Sequence, residues 1–165
     1  MITLHLLRHA KSSWQQNDLN DIDRPLNTRG VKACHSIGKY LTNIIHRQTS
    51  VMLSPACRAQ QTWSLISEQL NNQPLCTSTH GALYTFDAAQ LLAFVCQIDN
   101  SHTEVLLVGH NPAIEELASY MVSEFTQHVP TCAFLTLVSD ISTWQEADGA
   151  TFSIVEYVTP RQIAS

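Results

Sequence analysis

The chain has 165 residues, 44% hydrophobic and only 14% charged, which suits one packed domain over residues 1–165 and excludes both a disordered chain and two ordinary domains. Its net charge of −5 argues against a nucleic-acid partner; no apolar run is long enough to span a membrane, and no basic lead with a small-residue cleavage site marks a secretory leader, so a cytoplasmic protein without a membrane partner is expected. Five Cys, at 34, 57, 76, 96 and 132, are an odd number without C-x-x-C, which predicts free thiols rather than a disulfide framework or a zinc site.

Ile2 to Leu7 is an apolar run that predicts a buried strand closed by Arg8-His9. Lys11 to Asn27 is polar, carries Asp18, Asp21 and Asp23, and reads as a loop. Asn27-Thr28 offers an N-cap, and Val31, Cys34, Ile37, Gly38 and Leu41 follow at helical spacing. Val51-Met52-Leu53 predicts a second strand, ended by Ser54-Pro55. Ala56 to Leu70 has no breaker and predicts a helix, with Pro55 near its first turn, where Pro is tolerated. Leu75 to Thr79 predicts a short strand, and Ala88 to Ile98 an apolar helix with Asp87 before it. Glu104 to Val108 is another apolar strand, ended by Gly109-His110-Asn111-Pro112, and Ala113 to Met121 a further helix. Ala133 to Val138 and Thr151 to Val158 read as a late pair of strands, with room for an antiparallel member. Strands alternating with helices predict an α/β fold, a three-layer α/β/α sandwich with a mainly parallel sheet and helices on both faces.

Three predicted strands end in chemically loaded turns: Arg8-His9, Ser54 to Thr62 with Arg58, and Gly109-His110. In a parallel sheet these ends share one edge, where open α/β sheets bind their ligands. Arg offers a planar fork to phosphate, and His titrates near neutral pH. Arg58 falls in the first turn of its helix, where the dipole adds to its charge. Two Arg, two His and a helix N-terminus describe a phosphoryl site.

Leu6-Leu7-Arg8-His9-Ala10, Ser54-Pro-x-x-Arg58-Ala-x-Gln-Thr62 and Gly109-His-Asn-Pro112, each after a strand, resemble the motifs of the histidine phosphatase superfamily. Leu7-Arg-His-Ala-Lys-Ser12, Asp23-Arg-Pro-Leu-Asn27 followed by Arg29-Gly30, Ala82-Leu-Tyr84 and Val158-Thr-Pro-Arg161 are similar to its SixA-like, phosphohistidine phosphatase branch. The resemblance covers nearly the whole chain. It implies a phosphoglycerate mutase-like fold and a nucleophilic His9 that carries the phosphoryl group. Arg8, Arg58 and His110 would bind the phosphoryl oxygens, and water would release phosphate, with no metal and no cofactor. Two nearby Arg would favour the neutral imidazole that a nucleophile requires.

Branch members often carry Glu directly after the Leu-Tyr pair; here it is Thr85. Asp87 is the nearest carboxylate in sequence, a candidate general acid and also a natural helix N-cap. An imidazole leaving group, with an unperturbed pKa of about 6.5, needs less help from an acid than an alkoxide does, which favours a phosphohistidine substrate. Residues 79–103 leave room for one helix and no lid insertion, so a phosphohistidine presented by a signalling protein fits; inorganic phosphate or another oxyanion would fit the same site.

Secondary candidates are Lys11 and Ser12 against phosphate, Arg24 reaching in from the loop or pairing with Asp21 or Asp23, Asn111 orienting His110, and Trp14 as a cleft wall. Trp63 and His5 read as core residues. Four rival readings stay open. One is a metal-dependent hydrolase using His5, His9, His110 and the Asp18/Asp21/Asp23 cluster, which the two Arg oppose. The others are a broad small-molecule phosphomonoesterase, a phosphoglycerate mutase, and a non-catalytic phosphate- or phosphopeptide-binding module.

Overall fold

A computed structural model describes residues 1–163. Its centre is one six-stranded sheet in the order β3-β2-β4-β1-β5-β6. The strands are β1 (Ile2–Arg8), β2 (Ser50–Leu53), β3 (Cys76–Thr79), β4 (Glu104–Gly109), β5 (Phe134–Ser139) and β6 (Ser153–Val158). The β1–β4, β2–β4 and β2–β3 pairings are parallel, whereas β1–β5 and β5–β6 are antiparallel. Both late strands therefore run against their neighbours, and the sheet is mixed.

The apolar runs follow from burial on both faces. Along β4, Val105 and Leu107 face one core while Leu106 and Val108 face the other. In β1, Leu4 and Leu6 join the first core and Leu7 the second. The second core is closed by α1 (Thr28–Leu41), through Cys34, Ile37 and Leu41, and by α2 (Cys57–Ser67), through Ala59, Trp63 and Ile66. The first is closed by α3 (Ala88–Cys96) and α4 (Ala113–Met121). A short α5 (Pro160–Ile163) ends the described chain. The result is the three-layer α/β/α sandwich, with only α3 and a single 3-10 turn between Thr79 and Thr103.

Two helices end earlier than their apolar patterns suggest. After Ser67 the amides of Gln69 and Leu70 bond three residues back, to Ile66 and Ser67. After Cys96, Gln97 and Ile98 do the same to Phe94 and Val95. These tighter turns satisfy terminal carbonyls while the side chains stay in the core. The polar segment after β1 is a loop with some order: Ser12 bridges Leu26, and Asp21–Asp23 form a 3-10 turn. Gly30 explains how this loop closes, because a Cβ there would lie 2.2 Å from the Lys11 carbonyl oxygen. Only glycine permits so close an approach of α1 to the chain beyond His9.

Candidate active site

Sheet register assembles the site. Arg8 lies opposite Gly109 across the β1–β4 ladder, and the His9 amide donates to the Gly109 carbonyl at 3.0 Å. Ser54 continues β2 by donating its amide to Val108, 3.0 Å away. Thr62 ties α2 to the same edge: its hydroxyl accepts from the Ala10 amide (2.9 Å) and donates to the Arg58 carbonyl (2.6 Å). His9, Arg58 and His110 are all buried here, within a few ångströms of one another, although their sequence positions are far apart.

Each charged or titratable group is held on one side and left open on another. The His9 ring lies 2.7 Å through Nδ1 from the Ala10 carbonyl, which can only accept, so Nδ1 carries the proton and Nε2 the lone pair. Arg58 Nε approaches that Nε2 at 3.4 Å. The outer edge of the Arg58 guanidinium is occupied by Asp21: NH1 donates to its backbone carbonyl at 2.7 Å and NH2 to Oδ2 at 3.0 Å. The Nε edge is thereby directed at His9. Asp21 is braced in turn by the Tyr84 hydroxyl at 2.5 Å and by Arg24 Nε at 3.1 Å. Arg8 is anchored through NH1 to the Val129 carbonyl at 2.9 Å. His110 Nε2 pairs with Ser54 Oγ at 2.7 Å, and that hydroxyl also accepts from the Ala56 amide.

Among the described residues, two buried side-chain polar atoms have no hydrogen-bond partner: Arg8 Nε and His110 Nδ1. Both belong to this site. An unmatched buried polar atom costs roughly 1–3 kcal/mol, so two of them at one strand edge mark a place shaped for something other than stability.

The electrostatics follow the geometry. Burial, and then the charges of Arg58, Arg8 and Arg24, push His9 down to about 4, against the opposing pull of its bond to Ala10. Burial, and then His9 and Arg58, push His110 down to about 3. Both rings are therefore neutral at pH 7. Partial burial works against the charge of Asp21, but hydrogen bonds from Tyr84 and Arg58 and the Arg58 charge prevail and hold it at about 2.

The secondary candidates separate. Ser12 is buried and accepts from Arg24 NH1 at 2.8 Å. Arg24 thus belongs to the brace around Asp21, and its charge also acts on His9. Lys11 is exposed and contributes its backbone carbonyl to the Asn27 amide. Asn111 bonds Val129 and Glu115 and leaves the orientation of His110 to Ser54. Trp14 is 69% exposed and stacks on Arg24, 3.5 Å from the guanidinium carbon to the ring centroid. Asp87 takes the N-cap position of α3, where its carboxylate accepts from the Ala89 amide at 2.8 Å. Thr85 is buried and bonded to Gln90. Among the described residues, no three His, Cys, Asp or Glu side chains are grouped to hold a metal ion.

Asp21, Tyr84, Ser54 and Phe86 also stand at the site: Ser54 and Tyr84 lie within the motifs, and Asp21 in the acidic loop, but their sequence positions assign none of the four a role beside His9. The Tyr84 and Phe86 rings lie 5.4 and 5.3 Å from the His110 ring. Three hydroxyl or carboxylate neighbours beside Arg and His were the available signal, each visible only once the loop is folded back.

The histidine phosphatase superfamily (branch 1) model matches residues 4–83, the segment that carries Arg8, His9, Arg58 and Asp21. Over this segment the chain resembles the histidine phosphatase superfamily. Its fold matches a SixA protein of Nakamurella multipartitia, with a TM-score of 0.80 at 24% identity over 96% of both chains. It also matches the protein histidine phosphatase SixA bound to tungstate, with a TM-score of 0.79 at 20% identity over 98% of this chain and 99% of that one. An uncharacterized chloroplastic protein of Arabidopsis thaliana is 28% identical over 152 residues, covering 87% of this chain and 69% of that protein. The chain therefore shares the compact fold of these two structures.

Proposed function

We propose that this chain is a protein phosphohistidine phosphatase that works through a phosphoryl intermediate on His9. Family and fold support a phosphatase; the finer reading rests on what surrounds His9. The observation that carries it is the pair of buried, unpartnered atoms, Arg8 Nε and His110 Nδ1, flanking a neutral imidazole whose unprotonated Nε2 faces Arg58 Nε. Ser54 Oγ accepts from the Ala56 amide, and in the tautomer in which its hydroxyl donates to His110 Nε2 the His110 proton sits on Nδ1. Arg8, Arg58 and His110 then offer donors to the equatorial oxygens of a phosphoryl group in line with His9 Nε2. The tungstate in the SixA structure is an oxyanion of similar shape.

In the first step His9 Nε2 attacks phosphorus, the bond from phosphorus to the leaving nitrogen breaks, and the leaving imidazole takes a proton from solvent water. In the second, water attacks phosphorus, the P–Nε2 bond breaks, His9 returns to the neutral imidazole, hydrogen phosphate departs and the second proton of the water is released to solvent. Of the carboxylates nearest the site, Asp21 is held ionised and Asp87 caps α3. A leaving group must therefore depart with little acid assistance, which suits a phosphoramidate and not a sugar or serine phosphate. The absence of an insertion between Thr79 and Thr103 leaves the site accessible to a phosphohistidine on a signalling protein.

The test is to mix enzyme with a ³²P-labelled phosphohistidine protein and denature at alkaline pH, where the P–N bond survives. Wild type is expected to retain label and His9→Ala none. Rapid hydrolysis of small sugar phosphates with no action on the phosphohistidine protein would overturn the substrate; full turnover by His9→Ala would overturn the nucleophile.

A further inference from the structure

We infer that Phe86, with Tyr84 beside it, forms a subsite for a flat aromatic leaving group, which selects phosphohistidine over phosphoramidates without a ring. The inference rests on the phosphohistidine reading above and specifies how the site recognises that substrate.

Phe86 is out of place as a structural residue. It is 46% exposed, although a side chain of its size gains roughly 1.5–3 kcal/mol from full burial. The segment around it is nevertheless pinned on both sides. Leu83 is buried in the core beneath α3 and α4. Thr85 is buried, donates to Gln90 at 2.7 Å and accepts from the Asp87 amide at 3.2 Å. Asp87 caps α3. A chain fixed at residues 83, 85 and 87 has little freedom to swing residue 86 into the interior, so the ring is held outward by its neighbours.

Where it is held is the second observation. Its centroid lies 5.3 Å from the His110 ring at 55°, and 5.5 Å from the Tyr84 ring in an edge-on arrangement. Tyr84 in turn lies edge-on to His110 at 5.4 Å. Aromatic surface thus borders the group that would bind phosphoryl oxygens, on a rim that is half open. A phosphoryl group held between His9 and His110 places its leaving group on this rim, and a flat ring there gains the contact that Phe86 lacks within the chain.

Charge adds a preference for imidazole over a neutral ring. The Tyr84 hydroxyl connects the aromatic wall to the Asp21 carboxylate, whose side chain is 43% exposed and ionised. A leaving imidazole becomes more positive as it takes its proton, and a fixed anion at the same rim favours that form. An alkylamine leaving group has the charge but no face to stack.

The experiment compares phosphohistidine with Nε-phospholysine, both phosphoramidates, on wild type, Phe86→Ala and Phe86→Tyr. Wild type should favour phosphohistidine. Phe86→Ala should lower the phosphohistidine-to-phospholysine ratio of kcat/KM about tenfold, mainly through KM, and Phe86→Tyr should restore it. Calorimetric binding of phenylphosphonate and methylphosphonate supplies a readout without turnover. Wild type should bind the phenyl compound about tenfold more tightly, and Phe86→Ala should abolish the difference. Hydrolysis of both phosphoramidates with a ratio unmoved by Phe86→Ala would overturn the subsite and leave the phosphatase reading standing. Hydrolysis of neither would overturn both.

Discussion

His5 and His9 lie on the same strand end-run, and both are buried, 2% and 8% exposed. Their surroundings are opposite. His5 uses both ring nitrogens within the fold, bonding Thr136 Oγ1 at 2.8 Å and Glu104 Oε1 at 3.0 Å, and its ring stacks on Phe134 at 5.3 Å. His9 has one nitrogen fixed by the main chain and the other turned to Arg58 Nε, with the charges of Arg8 and Arg24 also acting on it. Burial does not distinguish structure from chemistry here. The distinction lies in what a buried polar group is matched with: the fold completes His5 with Thr136 and Glu104, sets His9 against the Arg58 guanidinium, and leaves Arg8 Nε and His110 Nδ1 beside it without a partner.

The strongest way to break this contrast is to remove each ring in turn. His9→Ala should cost on the order of 10³-fold or more in kcat with little change in unfolding midpoint. The next largest effect is expected from Asp21, which the contrast places with the positioning groups. Asp21→Asn keeps the size of the side chain but weakens the grip on the outer edge of Arg58, and kcat/KM should fall about 10- to 100-fold while the fold persists. Unchanged kinetics in Asp21→Asn would show that Arg58 needs no brace.

Stability supplies the reverse measurement. His5→Ala should leave kcat within about twofold and lower stability by roughly 1–3 kcal/mol, because Glu104 and Thr136 lose a shared partner inside the sheet. His9 and His110 act on stability through pH instead. Their folded values of about 4 and about 3 lie below the ordinary 6.5. The unfolded chain therefore binds more protons as pH falls below 6.5. Their contribution is complete above that value and is lost as pH falls through about 4 and about 3, on the order of several kcal/mol in all. Urea midpoints should decline between pH 7 and pH 5, and less steeply in the double variant His9→Gln/His110→Gln. A flat profile in the wild type would refute the picture of two neutral buried rings.

The parts of this site that are legible in sequence are those attached to strand ends. Arg8, His9, Arg58 and His110 each follow an apolar run directly, so alternation of strand and helix is enough to bring them to one edge. The parts that are not legible depend on long-range pairing. Ser54 and His110 are 56 residues apart, and Thr62 and the Ala10 amide 52. Asp21 reads as one acid of three in a polar loop until Gly30 lets that loop close against α1 and bring the carboxylate under Arg58. The three-layer architecture follows from runs buried on both faces, but the insertion of β1 between β4 and β5, one parallel and one antiparallel, is set by cross-strand packing that no local pattern records.

The contrast extends to carboxylates, where the expected effect is smallest. Asp87, like His5, spends its polar atoms on the fold: it caps α3 by accepting from the Ala89 amide. Asp87→Ala should cost about 1 kcal/mol of stability, the usual loss for an N-cap, and leave kcat on phosphohistidine within about twofold. Asp87→Asn, which can still cap, should lose less stability. The two variants separate capping from acid catalysis, because an acid is lost equally in both whereas a cap is lost in only one. If Asp87→Asn reduced turnover of a substrate with a poor leaving group about 100-fold while retaining the stability of the wild type, Asp87 would have to swing from its cap to the site during the reaction, and a matched hydrogen bond in the resting fold would no longer mark a residue as merely structural.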